Sequence, residues 1–133
     1  MERTYVMLKP DAMEQRVVGE IITRIEKEGF KIENIKLMNL QEALLREHYA
    51  HITSKPFFPE IIEYFKRGPV IAMIVSGDNV IQRMRNMMGT TDPLEAEPGT
   101  IRRAYAKNKS ENIIHGSDSE ETASVEIARF FGE

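Results

Sequence analysis

The sequence predicts an α/β sandwich, one sheet with helices packed on it. β-favouring and helical segments alternate along the chain, and its 133 residues suffice for one domain, residues 1–133, with a single core. The uninterrupted apolar run from Val70 to Val75 further predicts a central strand covered on both faces. Periodicity alone leaves the strand order open, although bare alternation favours a parallel sheet.

Thr4 to Leu8 is a β-favouring run stopped by Pro10 and Asp11, which predicts a strand running into a loop with Lys9 at its exit. From Val18, helical spacing places Ile21, Ile22, Ile25 and Phe30 on one side, with Gly29 as the stop. Lys31 to Leu40 reads as a strand, and Gln41 to Tyr49 as a helix with Leu44 and Leu45 inward. Lys55-Pro56-Phe57-Phe58-Pro59 interrupts the helical signal, which resumes from Glu60 to Lys66 and ends at Gly68-Pro69. Phe57 therefore lies in or beside an exposed helical hairpin. After the central strand, Gly77-Asp78 turns into a helix carrying Val80, Ile81, Met84, Met87 and Met88, with Asn79 as its expected cap. Gly89 to Thr100 is a surface or functional loop, Ile101 to Ala106 a helical turn and Asn112 to Ile114 a short strand. Ser119 to Phe131 closes the chain as an amphipathic helix with Ala123, Val125, Ile127, Ala128 and Phe131 apolar.

Composition narrows the chemistry. With 41% hydrophobic and 29% charged residues the chain lies far from a disordered profile. Cysteine is absent, which excludes a disulfide, a thiolate nucleophile and a Cys-based zinc site, and fits a cytoplasmic location. The N-terminus lacks the basic and apolar pattern of a leader, and no apolar run is long enough to span a bilayer. A net charge of −3 provides no global basic field for nucleic acid, so any bound phosphate must be held by local Lys and Arg.

Of the three histidines, His48 and His51 lie beside a helix, whereas His115 ends a short apolar strand before a Gly-containing turn and a capped helix. Two readings stand side by side. In one, Ser119 pairs with Thr122, or Ser117 with Glu120, to cap the last helix, and His115 is a half-buried spacer. In the other, His115 is a nucleophile whose neutral imidazole accepts a phosphoryl group. Glu126 on the following helix can then fix the ring nitrogen that does not attack, and Lys9, Arg85 and Arg102, all at element ends, are the available phosphate ligands. Neither a P-loop nor a dinucleotide fingerprint occurs.

Asn112-Ile113-Ile114-His115-Gly116-Ser117-Asp118-Ser119, together with Lys9-Pro10-Asp11, Lys55-Pro56-Phe57-Phe58 and Pro98-Gly99-Thr100-Ile101-Arg102, closely resembles the nucleoside diphosphate kinase family, in register from Arg3 to Phe131. The resemblance implies a ferredoxin-like βαββαβ sandwich, a four-stranded antiparallel sheet with helices on one face. It implies ping-pong transfer of the terminal phosphoryl group from a nucleoside triphosphate to a diphosphate through His115, sustaining NTP and dNTP pools. It assigns base stacking to Phe57 with Ile61 on the other contact, and the ribose hydroxyls to Lys9 and Asn112, Lys9 also lying near the transferred phosphoryl. The remaining phosphates fall to Arg85, Thr91 and Arg102. Tyr49 is placed near Lys9 and the γ-phosphoryl, Mg²⁺ bridges phosphates rather than sitting in a protein cage, and the protein is a homo-oligomer, hexamer or tetramer.

Several positions depart from the family pattern. Ala12 stands where glycine is usual, Arg16 displaces the usual Arg-Gly order, and Arg103-Ala104 replaces the common Gly-Asp. His51 stands where many members carry an acid, and Lys109 occupies a position that is often apolar. The rival readings are a non-catalytic regulatory module on the same fold and an RNA-binding sheet domain. Joint retention of His115, Lys9, Arg102 and Glu126 opposes the first, and the lack of an RNP-type run or basic stripe opposes the second.

Overall fold

From Thr4 to Leu8 every side chain is apolar, aromatic or β-branched, so both faces of this segment need cover. In the computed structural model, which describes residues 1–133, these residues are the buried part of strand β1 (Glu2–Leu8). β1 lies between β3 (Val70–Gly77) and β4 (Ile114–Gly116), and β2 (Lys31–Met38) pairs with the other side of β3. The order is β2-β3-β1-β4, with every neighbouring pair antiparallel. This is the ferredoxin-like βαββαβ arrangement, not the parallel sheet that alternation favours.

The crossover helices α2 (Val18–Lys27) and α5 (Val80–Met88) share one face, over Val6, Leu8, Met73 and Val75. The opposite face, formed by Tyr5, Met7, Ala72 and Ile74, is covered by α3 (Glu42–His48), α4 (Phe58–Phe65) and α7 (Glu120–Phe131). Helices on one face alone are therefore not what the chain has. β1 and β3 are apolar on both sides, and the second side needs its own layer. Only the edge strand β2 is largely exposed, with Ile35 at 46% and Leu37 at 59%.

Five local expectations are corrected. The predicted loop after β1 contains a short helix, α1 (Pro10–Glu14), whose Pro10 suits a first helical position because no N–H partner is needed there. α4 begins at Phe58 rather than Glu60, since Pro59 is tolerated in a first turn. Asn79 precedes α5 in the left-handed region (φ 52°) without a side-chain cap, and the Ile81 N–H donates instead to Glu2 Oε1 at 3.2 Å. The last strand lies two residues later than predicted and so includes His115. On α7 the buried stripe is Ala123, Glu126, Ile127 and Phe130, while Val125 faces solvent at 54% exposure. That phase turns Glu126 inward. No helix is long and apolar enough to cross a membrane.

Candidate active site

Pairing with β1 decides which way the three-residue β4 points its side chains. His115 stands opposite Met7, and directly paired residues share a face, so the imidazole lies on the α3 and α7 side. There Nε2 is 3.0 Å from Glu126 Oε1 and 2.9 Å from Oε2. Ser117 Oγ donates to the same Oε1 at 2.6 Å, and Ser119 caps α7 by accepting from the Thr122 N–H at 3.1 Å. A carboxylate only accepts, so in the neutral imidazole this contact selects the tautomer with the proton on Nε2 and the lone pair on Nδ1. Burial opposes the charge on Glu126, but the hydrogen bonds from His115 and Ser117, with the nearby imidazoles, outweigh it and hold its carboxyl below the usual value.

His48 was overlooked at the sequence level. It is buried at the end of α3, its ring centroid 5.3 Å from that of His115 and nearly perpendicular to it. Its Nδ1 accepts from Arg129 Nη1 at 2.8 Å. Burial, then the charge of His115, pushes its pKa down to about 3, so the ring is neutral at physiological pH. The available signal was its place three residues after the buried Leu45, on the same helix face. The nearest ligand atoms of His48, His115 and Glu126 lie within 4.8 Å of one another. His48 Nδ1 already accepts from Arg129, and Glu126 is engaged by His115 and Ser117, so hydrogen bonds occupy both His48 Nδ1 and the Glu126 carboxylate.

Cations gather on the backbone around β4. Arg102, on α6 (Ile101–Tyr105), donates from Nη1 to the Gly89 carbonyl at 2.9 Å and from Nη2 to the Ile114 carbonyl at 2.7 Å. Gly89 ends α5 at φ 87°, and a Cβ there would meet Thr100 Oγ1 at 2.6 Å, so this anchor requires glycine. Arg85 Nη1 donates to the Gly116 carbonyl at 3.4 Å, and Lys9 Nζ to Asn112 Oδ1 at 2.7 Å. Burial and the charge of Arg102 lower the pKa of Lys9 to about 8, against the opposing pull of Asp11. Burial and Arg85 lower that of Arg102 to about 10. Arg102 Nε is buried without a partner. The cluster thus carries positive charge that an anionic ligand would relieve.

Beside it opens a cleft of about 790 Å³, lined among others by Lys9, Tyr49, Phe57, Ile61, Arg67 and Lys109. Phe57 is 46% exposed, and Tyr49 sets its ring edge-on to His48 at 4.9 Å. Burial, then the charge of Glu126, raises the Tyr49 hydroxyl pKa. Fold and pairing thus bring Lys9, Tyr49, Phe57 and Ile61 around one cleft, and His115, Glu126, Arg85, Arg102 and Asn112 around β4. Thr91, on the exposed start of the Gly89–Thr100 loop, makes no hydrogen bond to any of them.

Of the unusual positions, Lys109 lines the cleft. Ala12 is fully buried, and Arg16 adopts φ 61°, where glycine carries no steric penalty. Arg103 braces the long loop by donating to the Leu94 and Ala96 carbonyls, and His51 is exposed on the 3-10 turn Ala50–Ile52.

A ferredoxin-like sheet that presents a carboxylate-held imidazole among unneutralised cations defines a class of enzymes acting on anionic groups. The family model for nucleoside diphosphate kinase matches residues 2–133. A nucleoside diphosphate kinase of Acetivibrio thermocellus is 50% identical over 133 residues, covering 100% of this chain and 98% of the relative. One from Listeria innocua is 52% identical over 131 residues, covering 98% and 89%. Among solved structures, the Encephalitozoon cuniculi enzyme aligns with a TM-score of 0.95 at 40% identity, covering 100% of this chain and 90% of that one. The Aquifex aeolicus enzyme aligns with a TM-score of 0.92 at 39% identity, covering 98% and 94%. The chain belongs to the nucleoside diphosphate kinase family, phosphotransferases of nucleotide metabolism.

Proposed function

We propose that this enzyme transfers the terminal phosphoryl group of a nucleoside triphosphate to a nucleoside diphosphate by a ping-pong route through a phosphohistidine at His115, sustaining NTP and dNTP pools. The observation that carries this reading is the double contact of Nε2 with Glu126, at 3.0 and 2.9 Å, which leaves the Nδ1 lone pair as nucleophile. Nδ1 attacks the γ-phosphorus. The bond to the bridging oxygen breaks, and its electron pair leaves on the β-phosphate of the departing diphosphate. A terminal oxygen of the second diphosphate then attacks phosphorus, and the P–N bond pair returns to the imidazole. Glu126 offsets the positive charge that the ring gains while phosphorylated.

Lys9, Arg85 and Arg102, with Thr91, bind the phosphates and stabilise charge on the transferring oxygens; Lys9 and Asn112 also meet the ribose hydroxyls, and Tyr49 lies by the γ-phosphoryl. The buried carboxylates beside the site, Asp11 and Glu126, are engaged by Tyr64, Ile113, His115 and Ser117. This supports Mg²⁺ arriving on the nucleotide phosphates, whose charge it neutralises. Incubation with γ-labelled ATP and Mg²⁺ should yield an acid-labile, alkali-stable phosphoenzyme that GDP discharges as labelled GTP. Label that GDP leaves in place would sink the ping-pong route.

Phe57 and Ile61 hold the base between them, and stacking on Phe57 tolerates any base because each offers a π-face. Phe57→Ala should therefore raise KM about tenfold for ADP, GDP, CDP and UDP alike, with kcat little changed. A rise confined to one base in a steady-state series would contradict this. The exposed Ile35 and Leu37 on the β2 edge support self-association as a tetramer or hexamer. Sedimentation equilibrium should return one of those masses, and a monomer mass would overturn the assignment.

A further inference from the structure

The backbone immediately before His115 is strained. Ile113, fully buried, has φ 76°, and the Ile114 N–H donates across it to the Asn112 carbonyl at 2.8 Å. That is a γ-turn with a positive central φ, a rare form, centred on a β-branched residue that strongly disfavours it. Such a turn persists only where its surroundings over-determine it. Here Asp11 Oδ2 accepts from the Ile113 N–H at 3.0 Å, and the Lys9 N–H donates to the Ile113 carbonyl at 2.8 Å. Asp11 Oδ1 in turn accepts from the Tyr64 hydroxyl on α4. Asp11 is 4% exposed, and one carboxylate therefore ties α1 and α4 to the approach of β4.

The turn lies between two groups that need exact aim. Asn112, just before it, meets Lys9 Nζ, and His115, two residues after it, meets Glu126. With a strand only three residues long, the direction of the chain entering β4 sets where the imidazole points. Both Asp11 oxygens already accept hydrogen bonds from protein donors, so its role is neither that of a base nor that of a phosphate contact.

We infer that Asp11 is a positioning residue for phosphoryl transfer, which with Tyr64 holds the strained turn at Ile113 and thereby aims His115 and Asn112. This rests on His115 being the phosphorylated group. The mechanism differs from electrostatic support of Lys9 by the Asp11 charge: the acceptor oxygen matters rather than the charge, and the need for it depends on strain at Ile113.

A double-mutant cycle tests both features, read as the single-turnover rate of enzyme phosphorylation by MgATP and as KM. Asp11→Ala should slow phosphorylation by about 30-fold with KM changed less than about threefold, the scale expected when a reacting group is misplaced by roughly 1 Å. Asp11→Asn keeps an oxygen toward Ile113 and should recover to within about threefold of wild type. In an Ile113→Gly background, where positive φ is free of strain, Asp11→Ala should cost less than about fivefold. An equal loss in both backgrounds, or Asp11→Asn as slow as Asp11→Ala, overturns the proposal. Hydrogen exchange supplies a readout independent of phosphorylation. The Ile113 amide should exchange faster in Asp11→Ala but not in Asp11→Asn, and unchanged protection in Asp11→Ala removes the clamp even if another residue proves to be the nucleophile.

Discussion

Replacing His115 with alanine should abolish the phosphoenzyme and lower NTP–NDP exchange by at least about 10⁴-fold, the scale seen when a covalent nucleophile is removed. The change is structurally mild. The His115 side chain is 26% exposed, so truncation leaves no sealed cavity, and Ser117 still donates to Glu126. Nucleotide binding should persist within about threefold, because the hydrogen bonds that hold Lys9, Arg85 and Arg102 in place go to Asn112, Gly116, Gly89 and Ile114 rather than to the imidazole. Nucleotide titration followed by rapid-quench labelling checks both halves. Label retained on the alanine variant would move the nucleophile elsewhere. His48 is the nearest other imidazole, and its Nδ1 is already taken by Arg129.

Glu126→Gln should lower kcat by about 10²-fold with KM little changed, since the effect falls on the charge that develops during transfer. The amide fills the same space but can present its NH₂ to Nε2, which loosens the choice of tautomer, and it no longer offsets the charge on the phosphorylated ring. Steady-state kinetics with an unchanged kcat would remove Glu126 from the mechanism. The same variant has a signature in stability. The Glu126 carboxyl is held below its ordinary value of 4.5, so its contribution is fully present above that pH and is lost as pH falls through the lowered folded value. Urea unfolding across acid pH should therefore show a shallower acid limb in Glu126→Gln. A limb due to His48 should survive: its folded pKa of about 3 lies below the ordinary 6.5, so stability falls as pH drops from 6.5 toward 3.

Much of the fold was legible because local signals agreed. The apolar run at Val70 announced a doubly covered strand, the spacing from Val18 to Lys27 announced α2, and Ser119 announced the start of α7. Two of the misplaced pieces have a tertiary cause. Asn79 carries a capping residue type, but Glu2 from another element does the capping, and Val125 is apolar but falls on the solvent side of α7. In the first a contact distant in sequence overrode a local preference, and in the second the side of α7 that packs on the sheet did. His48 was missed for the same reason, since its partners Arg129 and His115 lie far along the chain.

By itself the sequence determined the alternation of strands and helices, the absence of thiol chemistry and the segment around His115 that resembles the nucleoside diphosphate kinase family. These depend on residue identity and short-range spacing, which a linear chain displays. Only the tertiary structure decided that the sheet is covered on both faces, that pairing with Met7 turns His115 toward Glu126, and that Asp11 holds the turn at Ile113. Those are relations between residues far apart in sequence, set by which faces must be buried and which polar groups must find partners once they are.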